Sequence, residues 1–234
     1  MISMDFEIIR ANLERVQATI VQAAARSGRP SSSVCLVAVT KRNSPERIRP
    51  LVELGQVDLG ENYPQELWAK VEAMRGFSIQ WHLIGHLQGN KVKKTLPMVQ
   101  MIHAVDSLKL LQTLDDCAKE QPAPPKLCLQ VNTSGETSKH GWPLKGILDD
   151  SDVIASLSHA NVVGLMTIAG YGTSPETARP CFSALRTIRD QLRERTGLAL
   201  PELSMGMSSD FESAIEEGAT YVRVGSSLFE GLDP

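Results

Sequence analysis

The stretch ELSMGMSSDFESAIEEGATYVRVG, residues 202–225, contains a complete strand–helix–strand unit and decides the fold. Its two ends, ELSMG (202–206) and TYVRVG (220–225), have the length and apolar content of buried strands. The segment between them predicts a helix over residues 210–217. Strands joined by a helical crossover run parallel in one sheet, so this unit indicates an α/β protein.

The same alternation extends through the chain before residue 202. Six further strands are predicted at 34–40, 57–60, 79–85, 99–105, 126–132 and 161–169. Helices are predicted between them at 45–54, 64–74, 90–96, 108–119, 144–157 and 175–195, and an extra helix over 5–27 precedes the first strand. We therefore expect a closed (β/α)8 TIM barrel with an extra N-terminal helix, forming one domain over residues 1–234. An open doubly wound sheet is the alternative, but no GxGxxG motif follows the first strand.

Composition and charge exclude several classes of protein. The chain has 24 basic and 27 acidic residues and a net charge of −3, so we expect no nucleic-acid partner. No apolar run approaches the ~20 residues of a membrane span, and the first residues lack the pattern of a secretory signal. The cysteines have no CxxC spacing and indicate free thiols in a reducing cytoplasm: Cys35, Cys117, Cys128 and Cys181.

Lys41 is the sharpest candidate for chemistry. It follows the first predicted strand and shares one face of that strand with Val37 and Val39, because side chains alternate with period two. In a barrel this face points inward and the ends of the strands carry the active site. A lysine in the mouth is partly desolvated, and its neutral amine can attack an aldehyde and form a Schiff base. A solvated lysine at a strand end is the ordinary alternative.

Arg223 is the second candidate. It shares a face of the last strand with Tyr221 and Gly225, so we expect it to point into the barrel. A buried guanidinium needs acceptors, which either an acidic side chain in a salt bridge or a ligand atom could supply.

Small residues follow the seventh and eighth strands. Gly206-Met207-Ser208 and Gly225-Ser226-Ser227 each precede a predicted helical turn, where free backbone N–H groups favour an anion. These loops occupy the positions where barrels commonly bind phosphate. Ordinary helix capping by Ser209 and Asp210 explains either loop taken singly.

The histidines give no metal motif. There is no HExxH and no cysteine at a ligand spacing, so we expect no metal site. His82 lies within a strand and is interpreted as a core residue, whereas His86 follows a strand and could line the mouth. Lys139 to Trp142 lie in a predicted loop that is either solvated, a lid or a partner surface.

Six blocks of sequence, taken in order, resemble the pyridoxal-phosphate homeostasis protein family. They are LVAVTK (36–41), GENYPQE (60–66), WHLIGHLQGNK (81–91), LQVNTSGETSKHGW (129–142), GLMTIA (164–169) and LSMGMSSDFESAIEEGATYVRVGSSLFEG (203–231). The resemblance implies a barrel like the N-terminal domain of alanine racemase, with pyridoxal 5′-phosphate (PLP) as cofactor. It also implies that Lys41 holds PLP as an internal aldimine and that Arg223 faces the pyridine nitrogen. The remaining implied cofactor-binding residues are Asn62 in the pocket wall and, at the phosphate, Ser208, Gly225 and Ser226.

We expect from this resemblance a cytoplasmic protein that sequesters and delivers PLP without committed turnover, and hence without catalytic residues. An arginine opposite the pyridine leaves that nitrogen unprotonated, which weakens PLP as an electron sink. The chain also ends soon after Gly225, so we expect no second domain to supply another base. The expected partners are PLP and apo PLP-dependent enzymes or a regulatory protein, and the expected state is a monomer.

Three alternatives remain open. They are a PLP-dependent amino-acid racemase, a PLP-sensing regulatory protein that acts through a protein partner, and an aldolase that uses a lysine Schiff base without a cofactor. The aldolase hypothesis explains Lys41 but assigns no role to Arg223.

Overall fold

The structure is a computed structural model that describes residues 4–136, 139–170 and 174–232. Its centre is a sheet of parallel strands: β1 (Cys35–Val39), β2 (Asp58–Glu61), β3 (Gln80–Leu83), β4 (Met101–Val105), β5 (Lys126–Asn132), β6 (Trp142–Pro143), β7 (Asn161–Met166), β8 (Glu202–Ser204) and β9 (Tyr221–Val224). All except the two-residue β6 form a ring, which closes because β1 pairs with β9 and β4 pairs with β5. The predicted closed eight-stranded barrel is therefore confirmed.

Helices surround this ring: α1 (Met4–Arg26), α2 (Pro45–Glu53), α3 (Pro64–Ala73), α4 (Val92–Thr95), α5 (Leu108–Ala118), α6 (Gly146–Asp149), α7 (Ser151–Ser156), α8 (Pro175–Thr196) and α9 (Phe211–Glu216). Single 3-10 turns occur at Ser31–Ser33, Gly89–Lys91, Leu96–Met98 and Ser226–Leu228. The extra helix before β1 is confirmed as α1. In the described part of the chain, no helix has the length and apolar character needed to cross a bilayer.

The core has two layers that follow the alternation of side chains along each strand. The larger layer lies between the sheet and the helices and includes Val222 and Val224 of β9. A smaller apolar cluster contains Met101, Ala104, Cys128 and Met166, with Tyr221 packed against it. Outward and inward residues of β9 thus alternate, as the period of two predicts.

Two elements between β5 and β7 differ from prediction. The single helix predicted over 144–157 is two short helices, α6 and α7, interrupted at Asp150. The Asp150 carboxylate accepts a hydrogen bond of 2.7 Å from the indole N–H of buried Trp142. Trp142 itself pairs with Val131 in strand β6, where the sequence pattern predicts a loop. Burying this indole and satisfying its donor explain both departures.

Helix α1 links the start of the fold to elements late in the chain. Ile9, Leu13 and other apolar side chains of its inner face are buried. The Asn12 side-chain amide donates to the Leu228 carbonyl at 3.2 Å and the Glu230 carbonyl at 2.8 Å. α1 therefore holds in place the turn that follows β9.

Replacing Asn12 with alanine removes both hydrogen bonds and leaves one buried carbonyl without its partner. We expect Asn12→Ala to lower the free energy of unfolding by about 1–3 kcal/mol, measured by urea denaturation. Gln22→Ala, on the exposed face of the same helix, is the matched control and should change stability little. Equal losses in the two variants would contradict the link.

Candidate functional site

A cavity of about 400 Å³ lies at the carboxyl ends of the barrel strands. This volume is within the range of small-molecule sites. Its walls are formed by Val39, Lys41, Asn62, Ile84, Ile168, Met207, Ser208, Ser209, Arg223, Gly225 and Ser226. All six residues predicted as a cofactor site line it, although they come from segments as far apart as residues 41 and 226.

The backbone before Lys41 is fixed by a buried ion pair. Thr40 is fully buried and its hydroxyl donates to Glu61 Oε1 at 2.7 Å. Lys70 of α3 forms an ion pair with the same carboxylate and donates to the Thr40 carbonyl at 2.8 Å. The Lys41 side chain is exposed, since Lys41 lies two residues beyond the end of β1. This exposure fits the solvated lysine that the sequence also allowed, and the partial desolvation expected of a lysine in the mouth stays a prediction.

Sequence reasoning missed that Glu61 and Lys70 fix the backbone next to Lys41. A signal was present, because Lys70 follows buried Leu67 by three residues and so lies on the inner face of α3. A lysine on the apolar face of a helix requires a buried partner, and Glu61 is that partner.

Arg223 points into the barrel as predicted and is only 4% exposed. Its Nη1 donates to Ser204 Oγ at 2.6 Å and its Nη2 donates to the Thr167 carbonyl at 2.9 Å. The acceptors are thus neutral oxygens rather than the carboxylate of a salt bridge. Burial lowers the pKa of Arg223 to about 10, an effect opposed by the negative charge of Asp210. The guanidinium is therefore protonated at neutral pH.

A chain of buried hydrogen bonds continues from Arg223 through the barrel interior. Ser204 Oγ lies 2.6 Å from His103 Nδ1, and His103 Nε2 lies 2.9 Å from His82 Nδ1. His82 Nε2 in turn lies 3.0 Å from Asp58 Oδ1. One set of proton positions satisfies every link: the Ser204 hydroxyl donates to His103, His103 donates to His82, and His82 donates to the Asp58 carboxylate. His103 acts as a neutral imidazole in this arrangement, and His82 is a core residue as predicted.

The loop after β8 is a tight turn. Gly206 has φ +94°, and a Cβ there would lie 2.6 Å from the Ala214 Cβ. The Met207 N–H donates to Asp210 Oδ1 at 2.6 Å, closing the turn before α9. Burial raises the pKa of Asp210, and the Met207 hydrogen bond opposes that rise.

The loops after β8 and β9 are joined at the cavity. The Gly225 N–H donates to Ser208 Oγ at 3.2 Å. Within the described residues, the backbone N–H groups of Ser208, Ser209 and Ser226 have no acceptor in hydrogen-bonding geometry. These donors and the serine hydroxyls suit an anion. α9 and the Ser226–Leu228 turn are too short for a helix dipole to be the main attraction.

The end of β3 packs closely on Asn62. A Cβ at Gly85 would lie 2.1 Å from the Asn62 carbonyl oxygen, so only glycine allows this approach. His86, the next residue, lies outside the set of residues that line the cavity. The prediction that His86 could line the mouth is therefore not confirmed.

Comparisons with known proteins agree with this fold. Residues 7–233 match the family model described as "Alanine racemase, N-terminal domain". The pyridoxal phosphate homeostasis protein of Aquifex aeolicus is 40% identical over 217 residues, which are 93% of this chain and 95% of that protein. The structure of PipY from Synechococcus elongatus, solved with PLP bound, is 38% identical with a TM-score of 0.79 and covers 90% of this chain and 99% of PipY. Alanine racemase from Corynebacterium glutamicum is 17% identical with a TM-score of 0.72, over 98% of this chain and 61% of the racemase, and so shares the fold alone.

The fold and the family model together place this protein in the class of barrels related to the N-terminal domain of alanine racemase. Within that class, full-length similarity at 40% identity decides the family. The chain belongs to the pyridoxal phosphate homeostasis protein family.

The buried His103 makes stability depend on pH. Burial lowers the pKa of His103 well below its ordinary 6.5, and the neighbouring His82 and the positive charge of Arg223 lower it further. Below pH 6.5 the unfolded chain therefore binds a proton that the folded chain does not, so stability falls as pH falls. We expect wild type to lose up to about 1.4 kcal/mol more per pH unit in this range than His103→Gln, measured by urea denaturation between pH 7 and pH 5.

The matched control is His159→Gln, at an exposed histidine outside the barrel interior. This variant should keep the pH dependence of wild type. If His103→Gln and wild type lost stability in parallel, the neutral state of His103 would be disproved.

Proposed function

We propose that this protein binds PLP in the cavity at the strand ends and serves as a reservoir that delivers PLP to other proteins. The main observation in support is that Lys41, Arg223 and the serine-rich loops all line one cavity of about 400 Å³. The PLP seen in PipY supports this assignment, since PipY is 38% identical over almost its full length.

The chemistry of the lining residues fits each part of PLP. The Lys41 amine is the attachment point for the aldehyde, and the carbon–nitrogen double bond forms with loss of one water molecule. Ser208 and Ser226 supply hydroxyl and N–H donors for the phosphate. Gly225 keeps its loop close to β1, because a Cβ there would lie 3.3 Å from the Val39 Cβ. Asn62 forms part of the cavity wall beside these groups.

Arg223 is the residue we assign to the pyridine nitrogen. Its two hydrogen bonds to Ser204 and Thr167 hold the guanidinium in one orientation against the cavity. When bound, PLP acts as an electron sink, and it does so best with a protonated ring nitrogen. A guanidinium that keeps its own protons donates a hydrogen bond to that nitrogen and transfers no proton to it.

The same cavity disfavours racemisation. Removing and returning a proton on opposite faces of a carbon requires a base on each side. Among the described residues that line the cavity, Lys41 and Arg223 are the ionisable side chains, and Arg223 is protonated. Lys41 alone can therefore serve as a base, which favours storage of PLP over rapid turnover.

We further propose that residues 1–234 act as one PLP-binding unit, a cytoplasmic monomer whose partners are apo PLP-dependent enzymes. Free thiols at all four cysteines fit a reducing compartment. Few large apolar side chains are exposed in the described residues, as is typical of monomeric proteins: Met4, Val21, Tyr63 and Val153.

Borohydride reduction tests the attachment point. We expect wild-type protein incubated with PLP and then reduced to carry one phosphopyridoxyl group on the peptide that contains Lys41, located by mass spectrometry. Lys41→Ala should carry none at this site. Lys109→Ala, which removes a lysine of α5 away from the cavity, should be labelled as wild type. Labelling spread over many lysines, with Lys41 no more reactive than the others, would refute the site.

Transfer of PLP tests the reservoir function. We expect the loaded protein to restore activity to an apo PLP-dependent enzyme, and we expect it to leave L-alanine and D-alanine unchanged on a chiral column. Arg223→Gln should retain the Lys41 adduct but alter the absorption spectrum of bound PLP, because the ring nitrogen loses its charged donor. Interconversion of the enantiomers by wild type at enzymatic rates would replace the reservoir with a racemase.

A further inference from the structure

A cluster of two histidines and one aspartate lies on the rim of the barrel, outside the PLP cavity. One ligand atom from each of His86, Asp106 and His140 lies within 4.8 Å of the other two. We propose that these three residues form a binding site for a divalent transition-metal ion of the zinc type. The site does not depend on PLP, because none of the three residues lines the cavity.

The geometry centres on one carboxylate oxygen. Asp106 Oδ2 lies 2.6 Å from His86 Nδ1 and 3.9 Å from His140 Nδ1. The two imidazole rings are stacked, with centroids 5.1 Å apart and planes inclined by 20°. A hydrogen bond of 2.6 Å accounts for His86 and Asp106 alone. It does not account for a second imidazole that directs the same nitrogen to the same oxygen.

The donor set selects the metal. Two imidazole nitrogens and one carboxylate oxygen are ligands of Zn²⁺ and of Co²⁺ or Ni²⁺, whereas Mg²⁺ and Ca²⁺ prefer oxygen alone. Bonds of about 2.0–2.2 Å to each ligand require the three atoms to lie roughly 3–3.5 Å apart. The distances of 2.6 Å and 3.9 Å from Asp106 Oδ2 to the two imidazole nitrogens fall on either side of this range. Three protein ligands leave a fourth position for water or a substrate.

The carboxylate ligand is nearly buried and the imidazoles are accessible. The Asp106 side chain is only 7% exposed, between β4 and α5, while the His86 and His140 side chains are 48% and 70% exposed. Ions can therefore reach the site directly from solvent, and the nearly buried negative charge attracts them.

The backbone of His140 is anchored rather than free. Gln130 Nε2 donates to the His140 carbonyl at 2.9 Å. Gly141, the next residue, has φ +112°, and a Cβ there would lie 2.6 Å from the Gln130 carbonyl oxygen. Lys139 donates to the Ala169 carbonyl at 2.8 Å, which ties the preceding residue to the end of β7. These contacts thus fix the position of the His140 backbone.

The backbone of His86 is positioned by Gly85, which packs against Asn62. A bound metal would cross-link the segments that follow β3, β4 and β5. No sequence spacing reveals such a site, because the ligands at 86, 106 and 140 meet only when those strand ends adjoin.

Calorimetric titration of chelator-treated, PLP-free protein with Zn²⁺ tests the proposal. We expect one ion per chain, and at least about tenfold weaker binding in each of His86→Ala and His140→Ala. His159→Ala, an exposed histidine outside the cluster, should bind as wild type. No binding by wild type, or equal binding in all four proteins, would overturn the site.

Co²⁺ provides a second readout that identifies the ligands. We expect wild type to show a visible ligand-field absorption with Co²⁺ and a rise in melting temperature with Zn²⁺, both lost in the double variant H86A/H140A. All the substituted side chains are exposed, so the variants should fold normally. A Co²⁺ spectrum that persists in the double variant would assign the metal to other residues and contradict the proposal.

Discussion

Closure of the parallel sheet is the constraint on which the rest of the molecule depends. β1 is hydrogen-bonded on one side to β2 and on the other to β9, with Val37 beside Arg223. Were the sheet open between β1 and β9, Lys41 would lie at one edge and Ser226 at the other. Closure places the lysine of the first strand beside the loop of the last, and a single small cavity can then contact both ends of one ligand.

The barrel interior carries charge and polarity at a position where most barrels place apolar side chains. Burying Arg223 is tolerable because its guanidinium donates to two acceptors, the Thr167 carbonyl and Ser204 Oγ, and the Ser204 contact continues through His103 and His82 to the Asp58 carboxylate. Such a network is stable only when complete, since one missing partner leaves a buried donor without an acceptor. The orientation of the guanidinium is therefore set by Ser204 and Thr167, which do not line the cavity.

Local pattern was enough to predict the strands, the closed barrel and the inward direction of Arg223, because strand length and period-two alternation depend on neighbouring residues. The interruption between α6 and α7 at Asp150 depends instead on a hydrogen bond from the indole of Trp142. The position of Thr40 depends on the ion pair between Lys70 of α3 and Glu61 of β2. Such pairings are not encoded in spacing along the chain. The exposure of Lys41 could not be predicted, since alternation gives the direction of a side chain but not its depth.

The attachment of α1 to the turn after β9 has a consequence for biosynthesis. Asn12 leaves the ribosome more than two hundred residues before its acceptors Leu228 and Glu230. β1 likewise pairs with β9, which is synthesised close to the end of the chain. Helix and strand must remain without their final partners during most of translation, exposing apolar faces that chaperones recognise. The cavity at the strand ends is lined by residues up to Ser226, so a nascent chain has the complete cavity only after synthesis has passed the last strand.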